Sequence, residues 1–145
     1  MIRRILHPSD FSAASRPAFA KAVELAKQSR ARLIVAYVMP GILPIADGYI
    51  SPQVYAEIEA GNRRYGKTHL DALIAKAKRA GVRARGLLLD GIVADRIVRA
   101  AKGQRADLIV MGTHGRTGIT RLVLGSVASR VVSQAACPVL TVKGK

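Results

Sequence analysis

Cysteine is nearly missing. Cys137 is the single one, which excludes an internal disulfide framework, and three scattered histidines, His7, His69 and His114, make a poor start for a structural zinc site. There is no tryptophan, and four Tyr and two Phe supply all the large aromatics. That is little material for a platform on which single-stranded nucleic acid would stack. No apolar run approaches the ~20 residues that cross a bilayer. The opening Met1 to Pro8 lacks the apolar core and small-residue cleavage site of a secretory signal. These absences lead us to expect a soluble protein in a reducing, cytoplasmic compartment, with no membrane partner.

Acidic residues are also scarce: 9 Asp+Glu stand against 24 Lys+Arg, a formal net charge of +15. Such an excess attracts phosphates, nucleic acid or anionic surfaces before any specific site is considered. The basic residues are spread along the chain, however, in nothing longer than pairs such as Arg3-Arg4, Arg63-Arg64 and Lys78-Arg79. A basic solvated surface explains that distribution better than a built nucleic-acid groove does.

What is present is the balance of a globular protein: 145 residues, half of them apolar and 23% charged. This length suits one domain, residues 1–145. Short, nearly continuous apolar runs at 2–6, 33–38, 82–89, 107–111 and 139–142 read as strands buried on both faces. Helical spacing separates them. Phe19, Ala22, Val23 and Ala26 form one stripe, with Ser12 as its N-cap and Pro17 in its first turn; Leu70, Leu73, Ile74 and Ala77 form a second, closed by Gly81. Ala94, Ile97, Val98 and Ala101 are closed by Gly103, and Ala128, Val131, Val132 and Ala135 end before Pro138. Strands alternating with helices imply parallel pairing and right-handed crossovers: a single-domain, doubly wound α/β fold, five strands with helices on both faces. The Pro- and Gly-rich stretch 40–52 reads as a long loop.

In an open parallel sheet, ligands bind beyond the carboxyl ends of the strands, where strand order reverses. Two connections carry suitable chemistry. Pro8-Ser9-Asp10 follows the first strand; Asp10 can accept from ribose hydroxyls or an adenine amine, or it and Ser9 can simply cap the next helix. The fourth strand runs through Met111 into Gly112-Thr113-His114-Gly115-Arg116-Thr117-Gly118, and Gly125-Ser126-Val127 opens a helix. Glycines let backbone N–H groups approach an anion, Arg116 offers a fork of donors, and a helix start adds free amides at the positive end of its dipole.

Gly112-x2-Gly115-x9-Gly125-Ser126, with the flanks Ile5-Leu6-His7-Pro8-Ser9-Asp10-Phe11-Ser12 and Cys137-Pro138-Val139-Leu140, resembles the universal stress proteins, in the class that binds ATP. The resemblance implies a sheet of order 3-2-1-4-5 and an adenine nucleotide between the first and fourth strands. It places Asp10 and Ser9, beside Pro8, at the ribose and adenine, and the Val38 backbone at the adenine. Gly112, after Met111, then lies at the ribose, Gly115 and Arg116 border the phosphates, and Gly125, Ser126 and Val127 cradle them; His114 in the glycine loop is placed to touch either a phosphate or only solvent. It also implies a homodimer through the last strand, residues 138–142. The ligand would be ATP, or ADP or AMP, with Mg²⁺ or Mn²⁺ arriving on the triphosphate and no metal site of the protein's own. These loops suggest binding with little or no hydrolysis. A slow ATPase or phosphotransferase and a basic nucleic-acid binder are the alternatives.

One motif competes. Gly61-Asn62-Arg63-Arg64-Tyr65-Gly66-Lys67-Thr68 satisfies G-x-x-x-x-G-K-[ST] letter for letter, and Leu87-Leu88-Leu89-Asp90 can be offered as the partner strand. A P-loop needs a buried strand before its first glycine. Here Val54, Ile58 and Tyr65 suit a helix face, and Glu57 and Glu59 deny such a strand. The match is accidental on this reading, with Gly61 and Gly66 in a solvated helix and Lys67 in water. His7 is expected at a strand end, His69 on a helix surface, and Cys137 as a small buried hydrophobe.

Overall fold

Parallel strands cannot be joined by tight turns, so each must be followed by a crossover that returns the chain to the same end of the sheet. The computed structural model, which describes residues 1–42, 48, 50–114 and 124–144, follows that logic throughout. Its strands are β1 (Arg4–Pro8), β2 (Arg32–Met39), β3 (Ala84–Asp90), β4 (Leu108–Gly112) and β5 (Val139–Val142). They pair in parallel in the order β3-β2-β1-β4-β5. Helices α1 (Arg16–Ser29), α2 (Pro52–Arg79), α3 (Val93–Gly103) and α4 (Ser126–Gln134) complete the crossovers among the described residues.

Alternation along the strands divides the core in two. Ile5, Leu33, Val35 and Tyr37 face α1 and α2, meeting Phe19, Ala22, Leu70 and Ala77. Leu6, Ile34, Ala36 and Val38 point the other way, against Ala94 and Ile97 of α3 and Ala128 and Val131 of α4. Beyond Arg32, every residue of β2 is buried, which is why its sequence shows no polar alternation. Each large apolar side chain buried this completely stabilises the fold by about 1.5–3 kcal/mol. At the outer end of the sheet, Asp107 Oδ2 accepts from the N–H groups of Arg3 and Arg4 at 2.8 and 2.9 Å, tying the start of β1 to β4. Those two backbone hydrogen bonds hold the Asp107 carboxyl below its ordinary pKa.

The boundaries differ from the sequence reading in instructive places. A short 3₁₀ turn, Ala13–Ser15, precedes α1, so Ser12 caps that turn and Ser15 occupies the N-cap of the helix proper, while Pro17 does lie in its first turn. β3 begins at Ala84 rather than Val82, because Val82 is still folding back from α2, its N–H bonded to the Ala77 carbonyl at 3.0 Å. Gly81 follows α2 with φ +87°, the left-handed conformation glycine adopts freely. Gly103 is instead the last residue of α3, and the left-handed residue beyond it is Arg105, φ +52°. No described helix is long and apolar enough to cross a membrane.

Candidate nucleotide site

Strand order reverses between β1 and β4, since the chain builds outward from β1 to β2 and β3, then returns to β1's other side. The carboxyl ends of these two strands therefore diverge into separate connections, leaving a crevice between them. On the β1 side, Ser9 is buried; its N–H donates to the Ala36 carbonyl at 2.9 Å and its Oγ accepts from Phe11 N–H at 3.1 Å. Asp10 is half-buried, and its Oδ1 accepts from Ser12 N–H at 2.9 Å. Phe11 turns the chain with φ +64°, an uncommon conformation for a side-chain-bearing residue. Its ring explains why that turn persists: it stacks on Tyr37 with centroids 4.5 Å apart and lies 5.0 Å from His69 and 5.9 Å from Tyr65. The aromatic cluster clamps the Asp10 turn between β2 and α2.

On the β4 side, the connection is pinned at both ends. Thr113 N–H donates to Val142 O at 3.1 Å, and Gly125 N–H donates to Thr113 O at 2.8 Å. The start of α4 is thereby folded back against the end of β4. Only glycine permits this approach: a Cβ on Gly125 would lie 2.8 Å from the Thr113 carbonyl oxygen. Gly125 is the N-cap of α4, supplies no side-chain cap, and no acid stands in the first turn. The first amides of such a helix have no intrahelical acceptor, so those of Ser126 and Val127 are available to an anion. His114 Nδ1 shares a hydrogen bond with Thr113 Oγ1 at 3.0 Å, and its Nε2 is buried without a partner among the described residues.

The structure brings Pro8, Ser9 and Asp10 to one side of the crevice and Met111, Gly112, His114, Gly125, Ser126 and Val127 to the other. Val38 is buried near the end of β2, paired with Leu89. Gly115 and Arg116 lie outside the described residues, as do 43–47 and residue 49 of the long loop. Thr113 was not among the sequence candidates, though both its backbone groups organise the site; its place between Gly112 and His114 was the available signal. The clamp of Phe11, Tyr37, Tyr65 and His69 was missed entirely, because its members come from β2, α2 and the β1–α1 connection.

Gly61 to Thr68 lies inside α2 and forms no loop. Lys67 Nζ pairs with Asp71 Oδ2 at 2.7 Å with its side chain 72% exposed. Asp90 ends β3 at the outer edge of the sheet and is exposed. One part of the sequence reading needs correction: Gly66 is not solvated but buried, because α2 crosses β2 and β3 there, and a Cβ would meet Leu88 Cδ1 at 2.7 Å and the Tyr37 ring at 3.0 Å. His69 likewise belongs to the aromatic clamp rather than an open surface, its ring 4.1 Å from that of Tyr65. His7 is wholly buried inside β1. Its Nδ1 is 2.8 Å from Val110 O, so that nitrogen carries the proton, and its ring lies 5.6 Å from Phe19. Burial lowers its pKa from 6.5 to about 4, against the opposing influence of the Val110 carbonyl and the Asp10 charge. Cys137 is half-buried, and that burial raises its thiol pKa.

The family model described as the universal stress protein family matches residues 1–143. The chain belongs to this family. A universal stress protein of Methanocaldococcus jannaschii is 37% identical, the match covering 99% of this chain and 83% of that protein. Among solved structures, the universal stress protein UspA from Lactobacillus plantarum superimposes with a TM-score of 0.80 at 26% identity, covering 98% of both chains. A universal stress protein solved in complex with cAMP is similar at a TM-score of 0.69 and 28% identity, covering 99% of this chain and 98% of that one. The five-stranded order found here is that of the universal stress fold.

Proposed function

We propose that this universal stress protein binds an adenine nucleotide, ATP foremost, as a cytoplasmic regulator whose ligand stabilises one conformation and is hydrolysed slowly or not at all. The carrying observation is the hydrogen bond from Gly125 N–H to Thr113 O, which turns the amide-rich start of α4 toward the crevice opposite Asp10. In this reading Asp10 and Ser9, beside Pro8, grip the ribose and adenine, with the Val38 backbone behind the base. Met111 and Gly112 border the sugar. The amides of Ser126 and Val127, with Gly125 as the close-packed cap before them, hold the phosphates together with His114, Gly115 and Arg116. The relative bound to cAMP supports an adenine nucleotide as the ligand class.

Mg²⁺ or Mn²⁺ would come with the triphosphate and be held through its oxygens. Asp10 is engaged by the Ser12 amide and serves recognition rather than activation of water. We also propose that two copies pair along residues 138–142. β5 is the last strand of the sheet, and an unpaired edge favours such pairing.

Mass spectrometry of the small molecules released from native protein tests the main reading. ATP, ADP or AMP is expected in stoichiometric amount, and millimolar ATP should raise the melting temperature of emptied protein. An empty protein whose melting temperature ATP leaves unchanged would refute it. Steep, salt-dependent binding to DNA or RNA that ignores Gly125→Val would favour the nucleic-acid alternative instead.

A further inference from the structure

On one face of the sheet α3 and α4 pack directly together, but on the other α1 and α2 stand apart. Between them runs a groove of about 530 Å³, within the ~300–1,000 Å³ range of small-molecule sites. It lies on the helical face and reaches the nucleotide crevice at one end only, where Ser9 lines both. Its middle is apolar: Phe19 and Val23 on the α1 side, Leu73 opposite, with small Ala20 and Ala72 leaving the space open. Along α2 the lining extends from His69 to Ala80, roughly 16 Å at ~1.5 Å per residue.

The polar groups are gathered unevenly. At the end nearest the sheet's carboxyl edge, Arg16 is exposed on the rim and Ser12 lines the wall, its Oγ without a hydrogen-bond partner among the described residues. Phe11 and His69 close that end as an aromatic wall, 5.0 Å apart. Lys76 adds a second cation further along, and among the described residues no carboxylate lines the groove. Neither Arg16 nor Lys76 forms an ion pair among the described residues.

From this arrangement we infer that the α1/α2 groove is a binding site for a linear amphiphile with an anionic head, of the fatty-carboxylate class. The head sits at Arg16 and Ser12, where a carboxylate accepts from the guanidinium and the hydroxyl. The tail lies along Phe19, Leu73 and Val23, where apolar surface leaves water. Lys76 covers the tail with its methylene stem and keeps its ammonium in solvent. A nucleotide is a poor occupant, since the middle of the groove offers no acceptor or donor for a base.

Titration calorimetry with dodecanoate below its micellar concentration tests the site, with dodecyltrimethylammonium as a control of equal tail and opposite charge. One dodecanoate per chain is expected, with the cationic control at least tenfold weaker. Arg16→Glu, an exposed change that spares the core, should weaken dodecanoate at least tenfold. Ala72→Trp, also exposed, should fill the groove and abolish binding while the melting temperature holds. Saturating ATP should leave one dodecanoate bound per chain, because Ser9 is the single residue of the proposed nucleotide set that also lines the groove. Absence of binding, equal binding of both amphiphiles, indifference to both substitutions, or displacement by ATP would each overturn the assignment. So would an Ala72→Trp chain that merely loses self-association, which would make the groove an interface between copies.

Discussion

Acidification should weaken this fold through His7 more than its carboxylates alone would. The imidazole is fully buried in β1, and its pKa falls from 6.5 to about 4 because burial penalises the charged form. In the unfolded chain His7 takes up a proton near its ordinary pKa, while in the folded chain it resists until about pH 4. Between those values the unfolded state binds more protons, so stability falls as pH drops through the window and the loss is complete below it. Each tenfold step in proton affinity is worth ~1.36 kcal/mol, so His7 accounts for on the order of 3 kcal/mol. Urea unfolding at intervals from pH 7.5 to 4, on the wild type and His7→Leu, isolates the effect from other titrating groups. At neutral pH the variant should be less stable by about 1–3 kcal/mol, because the Val110 carbonyl loses its donor. Towards pH 4 the two curves should converge or cross. Parallel curves, or an NMR titration of the His7 ring centred near its ordinary value, would refute the reasoning.

The two glycines of the P-loop look-alike should respond in opposite senses to alanine. Gly66→Ala drives a methyl into Leu88 and Tyr37 and should cost about 1–3 kcal/mol, whereas Gly61→Ala meets nothing nearer than 3.9 Å and should stabilise α2 by about 0.5–1 kcal/mol, both read by urea midpoints. Lys67→Ala removes only an exposed i,i+4 pair with Asp71, so ATP affinity by calorimetry should be unchanged and stability should drop by no more than about 0.5 kcal/mol. If that variant loses ATP binding, α2 and not α4 holds the phosphates. Gly125→Ala pushes a Cβ against the Thr113 carbonyl, displacing the α4 amides; nucleotide affinity should fall at least tenfold, and unaltered affinity would dismiss those amides as the anion site.

The order of elements is legible in the sequence because burial on two faces and burial on one leave different periodicities. The unbroken apolar run of β2 and the stripe of Ala94, Ile97 and Ala101 on α3 each admit one reading. The two ends of the crevice were legible for a related reason: Asp10 and the Gly112 to Ser126 stretch each follow a strand and precede a helix, so both belong at the carboxyl edge of a parallel sheet. Helix termini were less so. Ser12, Ser15 and the Gly103–Arg105 end of α3 are all chemically able to cap, and which does depends on how the chain must leave the sheet.

What the sequence determined by itself is thus the local and periodic part: strands, helices, parallel pairing, and the loops able to meet an anion. Only the tertiary structure decided which residues far apart in the chain would touch. It set Phe11 against Tyr37, Tyr65 and His69, buried Gly66 where α2 meets the sheet, kept His7 away from water, and left α1 and α2 apart over a groove. The physical reason is that hydrophobic patterning specifies which face turns inward but not how closely two helices approach. That spacing is settled by the volumes of the side chains meeting between them and the sheet.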